Sequence, residues 1–442
     1  MSHKTDIKYR KESLIKLLHV ITKHEDAIIK ALYDDFKKPA FEAVLTETNY
    51  VISDLKNTIK NINSWTKPTK VWPTIINFPS LDYIYSEPYG NILILSPWNY
   101  PFQLALCPLV AAVAAGNKVT LKPSELTPHT AAIIVKIINE TFPLEQVEVV
   151  TGDATIAAEL LKKRWDYIFF TGSVPVGKIV AKAAAENLTP VTLELGGKSP
   201  CIVDETANIE LSAKRIVWGK LINAGQTCVA PDYILVHHKV KDSFVKCLIQ
   251  EIEIALGKNT EESADYARII NLKNWQRQLS LLENQKIIYG GQSNADTLFL
   301  APTLLDEPEM NSKAMQEEIF GPILPIISYQ AVSDIDKIIM SYDKPLSLYL
   351  FSENKTFIDE VLLKYSFGGG CINDTIVHLV NNRLPFGGVG HSGIGAYHGK
   401  LTFDIFSHKK SVVKRGTWLD LTMRYAPYKD KLKTIRKVLN WL

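Results

Sequence analysis

Between Asn91 and Asp204 short apolar runs alternate with helical stretches, and this alternation restricts the possible fold more than any other feature of the chain. The runs are Ile92–Leu95, Val119–Leu121, Val147–Val150, Tyr167–Phe170, Val191–Leu193 and Cys201–Val203. Strands that are apolar on consecutive positions need cover on both faces, which a parallel sheet between helix layers supplies. The segment therefore reads as a nucleotide-binding-type α/β unit. Within it, Thr127-Pro128 marks a crossover helix, as an N-cap followed by proline at the first helical position. A second α/β region runs from about Leu211 to Ser366, with Tyr233–Val236, Leu324–Ile327 and Leu348–Phe351 as strands. A length of 442 residues agrees with two or three domains.

The flanks read differently. From Tyr9 to Lys38, Leu14, Leu17, Leu18, Ile21, Ile28, Ile29 and Leu32 recur at helical spacing, and a second helical stretch continues to about Thr66. Lys67–Pro88 is rich in proline and aromatic residues and reads as an extended arm. Gly368-Gly369-Gly370 and Leu384–Gly388 open a loop-rich end, and the basic tail from Lys429 reads as a solvated terminal helix.

Fifty Lys and Arg against 47 Asp and Glu leave a formal charge of +3, too little for a nucleic-acid or anionic-membrane footprint, so a small-molecule partner is expected. The five cysteines (107, 201, 228, 247 and 371) form no C-x-x-C pair, which argues against a disulfide framework or a zinc knuckle. No metal site is expected: His24-Glu25 lacks the second histidine of H-E-x-x-H, and His237-His238 reads as surface or capping. The first residues lack the apolar core of a signal peptide. The longest mostly aliphatic run, Leu104–Ala115, also falls short of the roughly 18 residues that suggest a membrane span. A soluble cytoplasmic protein is the expectation.

Two glycine motifs attract attention. Gly388–Gly393 matches G-x-G-x-x-G but follows a Pro-Gly loop rather than a strand, so it reads as a connection. Gly172–Lys178 resembles a P-loop, yet Ile179 stands where Ser or Thr should hold magnesium. Gly172 and Ser173 nevertheless place free N–H groups and a hydroxyl at a helix start, which suits either a pyrophosphate or a plain cap.

Three residues stand out chemically. Cys228, in Asn223–Pro231, lies among small and polar residues at a loop beside a helix end, the setting of a reactive thiol, although inert core filling is the commoner role of a cysteine. Glu194, between two leucines and before Gly196-Gly197, is either a poorly solvated carboxylate with a raised pKa, as a general base needs, or a glutamate on an edge strand's wet face. Asn99, in Pro97-Trp98-Asn99-Tyr100-Pro101 at a strand's carboxyl end, either offers its amide to an oxyanion or simply forms a turn.

Six segments in order resemble the aldehyde dehydrogenase superfamily over about Ala40 to Tyr428: Pro97–Pro101, Leu121–Glu125, Phe170–Ser173, Leu193–Lys198, Gly225–Cys228 and Glu317–Pro322. Val229–Tyr233 and Pro385–Gly393 leading into Tyr397–Lys400 are similar to its class-three branch of fatty and aromatic aldehyde dehydrogenases. The end, Thr434–Leu442, is too short and charged for the hydrophobic anchor of membrane-bound members. The resemblance implies an aldehyde dehydrogenase-like α/β fold. It has a Rossmann-like cofactor domain (1–66 and 88–196), a second α/β catalytic domain (197–390), and a bridging β arm with the C-terminal segment (67–87 and 391–430). It also implies homodimerisation through the arm and the stretch Lys409–Arg415.

By the same resemblance Cys228 is the nucleophile, Asn99 and the Cys228 N–H hold the oxyanion, and Glu194 activates water against a thioester. Glu318 and Phe320 meet the nicotinamide end of NAD or NADP, Lys122 and Glu125 the adenine ribose, and Gly172 and Ser173 the pyrophosphate, with Trp98 among the cofactor residues. A carboxylate at Glu125 repels a 2′-phosphate, so NAD is expected ahead of NADP, with Lys122 placed to offset that repulsion. Ile376, Val377, Leu379 and Val380 suggest an entrance for a medium or long apolar aldehyde.

Overall fold

The computed structural model describes residues 6–75 and 77–440. The signal-peptide and anchor readings therefore fall partly on residues outside that description, namely 1–5, 441 and 442. The helix expected over 9–38 is two, α1 (Ile7–Lys23) and α2 (Glu25–Phe36), divided at His24. His24 leaves helical geometry there, and its ring pairs with Glu140. A short helix α3 (Ala40–Ala43), a π-helical turn (Val44–Thr48) and α4 (Asn49–Trp65) complete this part.

The arm forms two strands, β1 (Thr69–Val71) and β2 (Leu81–Pro88), in a three-stranded sheet completed by Ser407–Lys414. Next come β3 (Asn91–Leu95), helix α5 (Gln103–Ala115), β4 (Lys118–Lys122), helix α6 (Pro128–Thr141), β5 (Val147–Val149) and helix α7 (Ala154–Leu161). They are followed by β6 (Tyr167–Thr171), helix α8 (Val174–Glu186) and β7 (Val191–Glu194). These strands pair in parallel in the order β7-β6-β3-β4-β5, and Gly393–Ile394 closes the β7 edge antiparallel. α5 is apolar all round and almost wholly buried, the helix against which both the sheet and the N-terminal helices pack.

Cys201–Val203 leaves this sheet. As β8 (Pro200–Val203), followed by helix α9 (Ile209–Leu221) and β9 (Tyr233–His237), it belongs to a seven-stranded sheet. That sheet runs Ile287–Tyr289, Thr303–Asp306, Ile323–Tyr329, β9, β8, Ser347–Phe351 and Gly369–Ile372. The triple glycine expected in a loop thus begins an edge strand. Its Gly370 lies so close to Leu348 that a Cβ would meet that carbonyl at 2.0 Å, which explains why glycine can be in a strand here.

Two local readings need correction. α6 does start at Pro128, but the Thr127 hydroxyl caps nothing; Asp35 of α2 accepts from the His129 and Thr130 N–H groups at 3.0 and 2.8 Å. His237, expected at the surface, is buried at the end of β9 between His238 and Tyr329. The tail does form an exposed basic helix, Lys431–Leu439. No described helix is long and apolar enough to cross a membrane.

Candidate active site

The carboxyl ends of four adjacent parallel strands, β4, β3, β6 and β7, carry Lys122, the Trp98-Asn99 segment, Gly172 with Ser173, and Glu194. Open parallel sheets bind ligands at this edge because their loops leave a crevice there. The second sheet supplies the opposite side through the loop after α9, which carries Cys228, and the loop 317–321.

The Cys228 loop is held in an unusual backbone. Asn223, Ala224 and Gly225 lie successively in the left-handed region, with φ of 57°, 51° and 75°. For the first two this is strained by about 1 kcal/mol or more each, so the surroundings must impose it. They do so with hydrogen bonds. The Asn223 N–H donates to Glu42 on α3 at 2.9 Å, and Asn223 Nδ2 donates to the Asn99 and Gln226 carbonyls. Gln226 in turn donates to Arg268 O and accepts from the Ile270 N–H. Gly225 presses on the other loop, where a Cβ would come within 2.2 Å of the Gly321 carbonyl.

Asn99 is buried and does more than turn the chain: one amide hydrogen goes to the Gln226 carbonyl at 3.1 Å, leaving the second uncommitted beside the cysteine loop. Tyr100 OH bonds Thr227 Oγ1 at 2.7 Å, and Tyr349 OH donates to Val229 O, so both residues flanking Cys228 are fixed. Beneath Tyr100, Lys38 and Glu47 form a fully buried ion pair at 2.8 Å. Lys38 Nζ also lies 4.0 Å from the Tyr100 ring centroid, and Glu47 caps the start of α5 by accepting from the Phe102 and Gln103 N–H groups.

Three ionisable groups converge. Burial pushes the Cys228 thiol up to about 12, and the charges of Glu318 and Glu194 push in the same direction. Glu194 is only 3% exposed, which removes the wet edge-strand reading. Among the described residues neither of its carboxylate oxygens has a hydrogen-bond partner, and burial raises it well above the ordinary carboxylate range. Glu318 rises to about 8, chiefly through burial and the nearby Asp232, against the opposing Gly197 N–H, Lys198 and Arg277. Its carboxylate lies where a Cβ on Gly196 would be, 2.2 Å from Oε2. Glu194, 34 residues before the cysteine, and Glu318, 90 residues after it, thus act on one thiol, and with burial they favour its protonated form.

Further residues that the sequence did not single out hold the 317–321 loop. Lys198, paired with Asp232, donates to the Ala314 and Glu317 carbonyls, and Asp232 accepts from the Ile319 N–H. Arg277 and Gln278 donate to Ile319 O. Phe320, at φ 50°, packs edge-on against Trp98 with ring centroids 5.3 Å apart.

The nucleotide side also fits a dinucleotide. Ser173 N-caps α8 without spending its hydroxyl on the helix, which leaves a hydroxyl and first-turn N–H groups where an anion is favoured, but the Gly172 N–H expected to be free donates to the Glu194 carbonyl at 2.9 Å. Lys122 and Glu125 pair at 2.7 Å, the lysine buried and the glutamate partly exposed. Gly388–Gly393 instead runs back onto β7, with Gly393 opposite Glu194.

From Cys228 a cavity of about 320 Å³ leads outward. Ile376, Val377, Leu379 and Val380 line it, and so do Tyr50, Asp54, Gln103 and Cys107 on α4 and α5, which as sequence are ordinary helix positions. No group of His, Cys, Asp and Glu fit to hold a metal occurs among the described residues.

Residues 2–412 match the model of the aldehyde dehydrogenase family. The chain belongs to that family. It is 50% identical to 4,4′-diaponeurosporen-aldehyde dehydrogenase of Staphylococcus aureus, over 98% of this chain and 94% of the relative. It is 41% identical to the dimeric NADP-preferring aldehyde dehydrogenase of Canis lupus familiaris, over 96% and 94%. Among solved structures, the substrate-bound state of Staphylococcus aureus AldH is similar with a TM-score of 0.97 and 49% identity, covering 99% of this chain and 96% of that one. As an aldehyde dehydrogenase, the protein oxidises aldehydes to carboxylic acids with NAD or NADP.

Proposed function

We propose that this aldehyde dehydrogenase oxidises medium- or long-chain apolar aldehydes through a covalent adduct on Cys228. The observation that carries the reading is the apolar cavity that ends at Cys228, the thiol on which Glu194 and Glu318 act together. As Cys228 attacks, the thiol proton leaves to solvent, and Glu194, a stronger base than an ordinary carboxylate because it is buried and unpaired, is kept for the hydrolytic step. Cys228 Sγ then adds to the carbonyl carbon, and the oxyanion of the thiohemiacetal lies against the free Asn99 amide hydrogen and the Cys228 N–H. NAD or NADP, when bound, supplies the acceptor for the aldehyde hydride. Glu194 then takes a proton from water, whose oxygen attacks the thioester; as the C–S bond breaks, Glu194 returns that proton to the departing sulfur, leaving the acid, the free thiol and an ionised Glu194. Glu318, Phe320 and Trp98 hold the nicotinamide end, Gly172 and Ser173 the pyrophosphate, and Lys122 and Glu125 the adenine ribose.

The Lys122–Glu125 pair leaves NAD ahead of NADP only by a modest margin, since the lysine offsets the carboxylate's repulsion of a 2′-phosphate. Two separate sheets support a cofactor domain of residues 1–66 and 88–196 and a catalytic domain of 197–390. The arm sheet and the relative named as dimeric support a homodimer, and the free cysteines a reducing, cytoplasmic setting. The test is an aldehyde panel graded from two to sixteen carbons with each cofactor. kcat/KM should rise with chain length until the cavity is filled, and Cys228→Ala should abolish turnover of every member. Equal rates along the panel, or oxidation surviving in Cys228→Ala, contradict the reading.

A further inference from the structure

The cavity wall holds one group that oxidation of a plain alkanal does not need. Asp54, on α4, lines it, yet among the described residues no hydrogen bond or ion pair to its carboxylate occurs, and burial alone raises it to about 7. Its neighbours are Tyr50, one turn back on α4, and Cys107 on α5, each of which feels its charge. Tyr50 cannot serve it as a donor, because that hydroxyl donates to Leu379 O and pairs with His398 Nε2, both at 3.2 Å. Trp218, Ile376, Leu379 and Val380 line the same cavity. Asp54 is half-buried, with its carboxylate oxygens open to the cavity, so a chain that displaces water there leaves the carboxyl desolvated unless it brings a donor of its own.

α5 sets the depth at which that donor would be needed. Tyr100, bonded to Thr227 beside the nucleophile, leads into the helix, and Cys107 follows seven residues later. At 1.5 Å per residue the Asp54 end of the cavity is roughly 10 Å from the Tyr100 end.

We propose that Asp54 is a specificity-determining residue that accepts a hydrogen bond from a hydroxyl on the distal part of the aldehyde chain. It thereby favours hydroxylated medium-chain aldehydes over plain alkanals and rejects those ending in a carboxylate. The proposal rests on the reading of the cavity as the aldehyde channel. A hydroxyl at that depth exchanges water for a carboxylate acceptor, whereas a methyl end leaves Asp54 desolvated and a carboxylate end places two like charges together.

The experiment measures kcat/KM for propanal, octanal, 8-hydroxyoctanal and 8-oxooctanoate with wild type, Asp54→Leu and Asp54→Asn. Wild type should prefer 8-hydroxyoctanal to octanal by about tenfold, the value of one hydrogen bond to a charged group. Asp54→Leu should reverse that order, and Asp54→Asn should raise 8-oxooctanoate by about tenfold through removal of the like charge. Propanal, too short to reach Asp54, should stay within twofold in all three proteins. A hydroxyl-to-methyl ratio that is the same in all three proteins overturns the proposal, as does loss of propanal turnover in parallel with the rest, which marks a packing role. Failure of wild type on all four aldehydes overturns the channel reading itself, and the role of Asp54 with it.

Discussion

On the nucleotide side of Cys228, the polar groups come from strand ends and the loops that follow them, with Lys122 buried but paired to the exposed Glu125, and with Ser173 exposed at the start of α8. On the aldehyde side, the wall is made by the π-helical turn, α4, α5, the end of α9 and the segment from Ile376 to Thr402, with Asp54 half-buried among apolar neighbours, while α3 carries Glu42 against the Cys228 loop. The difference teaches how each side resists change. A strand-end residue can be replaced with local consequences, because the sheet beneath it is held by its own ladder. A group packed behind the Cys228 loop holds a strained backbone in place, so its effects spread to stability.

Two substitutions sharpen that contrast, one on each side. Glu42, which holds the Cys228 loop through the Asn223 N–H, has its pKa raised to about 7 by burial, against the opposing charge of Lys38 and that N–H. Its folded pKa lies above its unfolded one, so the folded state keeps a proton that the unfolded state has lost. Its contribution therefore makes folding less favourable as pH rises between about 4.5 and 7. Glu42→Gln keeps an acceptor for Asn223 but does not titrate, so denaturation at a series of pH values should show the variant gaining on wild type by at most about 3 kcal/mol across that window. A difference that does not change with pH would remove Glu42 from the account.

On the nucleotide side the expected effect is smaller. Glu125→Gln leaves Lys122 without its partner and removes the repulsion of a 2′-phosphate, so the ratio of kcat/KM for NADP over NAD should rise by about tenfold, with thermal stability unchanged. A ratio that stays where it was, or a large loss of stability, would erase the distinction between the two sides.

The same contrast explains what could be read in advance. β3, β4, β6 and β7 announce themselves as consecutive apolar residues, so the strand ends could be located; Glu194, Gly172 and Ser173 stood out there with a structural reading left open beside the functional one, and Lys122 entered only through the family resemblance. Cys228 was visible by its small, polar neighbours. Tyr50, Asp54, Gln103 and Cys107 were not, because a helix that lines a cavity carries the same periodicity as one that packs on a core. Cys107 in particular has the sequence setting of inert filler within the apolar α5. Asp35 was hidden for another reason: the N-cap of α6 comes from a helix more than ninety residues earlier, while Thr127 holds the expected position and does nothing there. Asp232, Arg277 and Gln278 likewise act through backbone carbonyls and N–H groups of a distant loop, a role that leaves no mark on the residues' own neighbourhoods.

The central claim, an acyl group carried on one sulfur until a buried carboxylate activates water to release it, is tested by slowing the release. Glu194→Gln should lower turnover by roughly 10²–10⁴, the usual contribution of a general base. When this variant is mixed with a long-chain aldehyde and NAD, quenched in acid and analysed by peptide mass, the acyl increment should appear on the peptide that contains Cys228. An unmodified Cys228 in a variant that still reduces NAD, or an acyl group found instead on Cys107, would contradict the account.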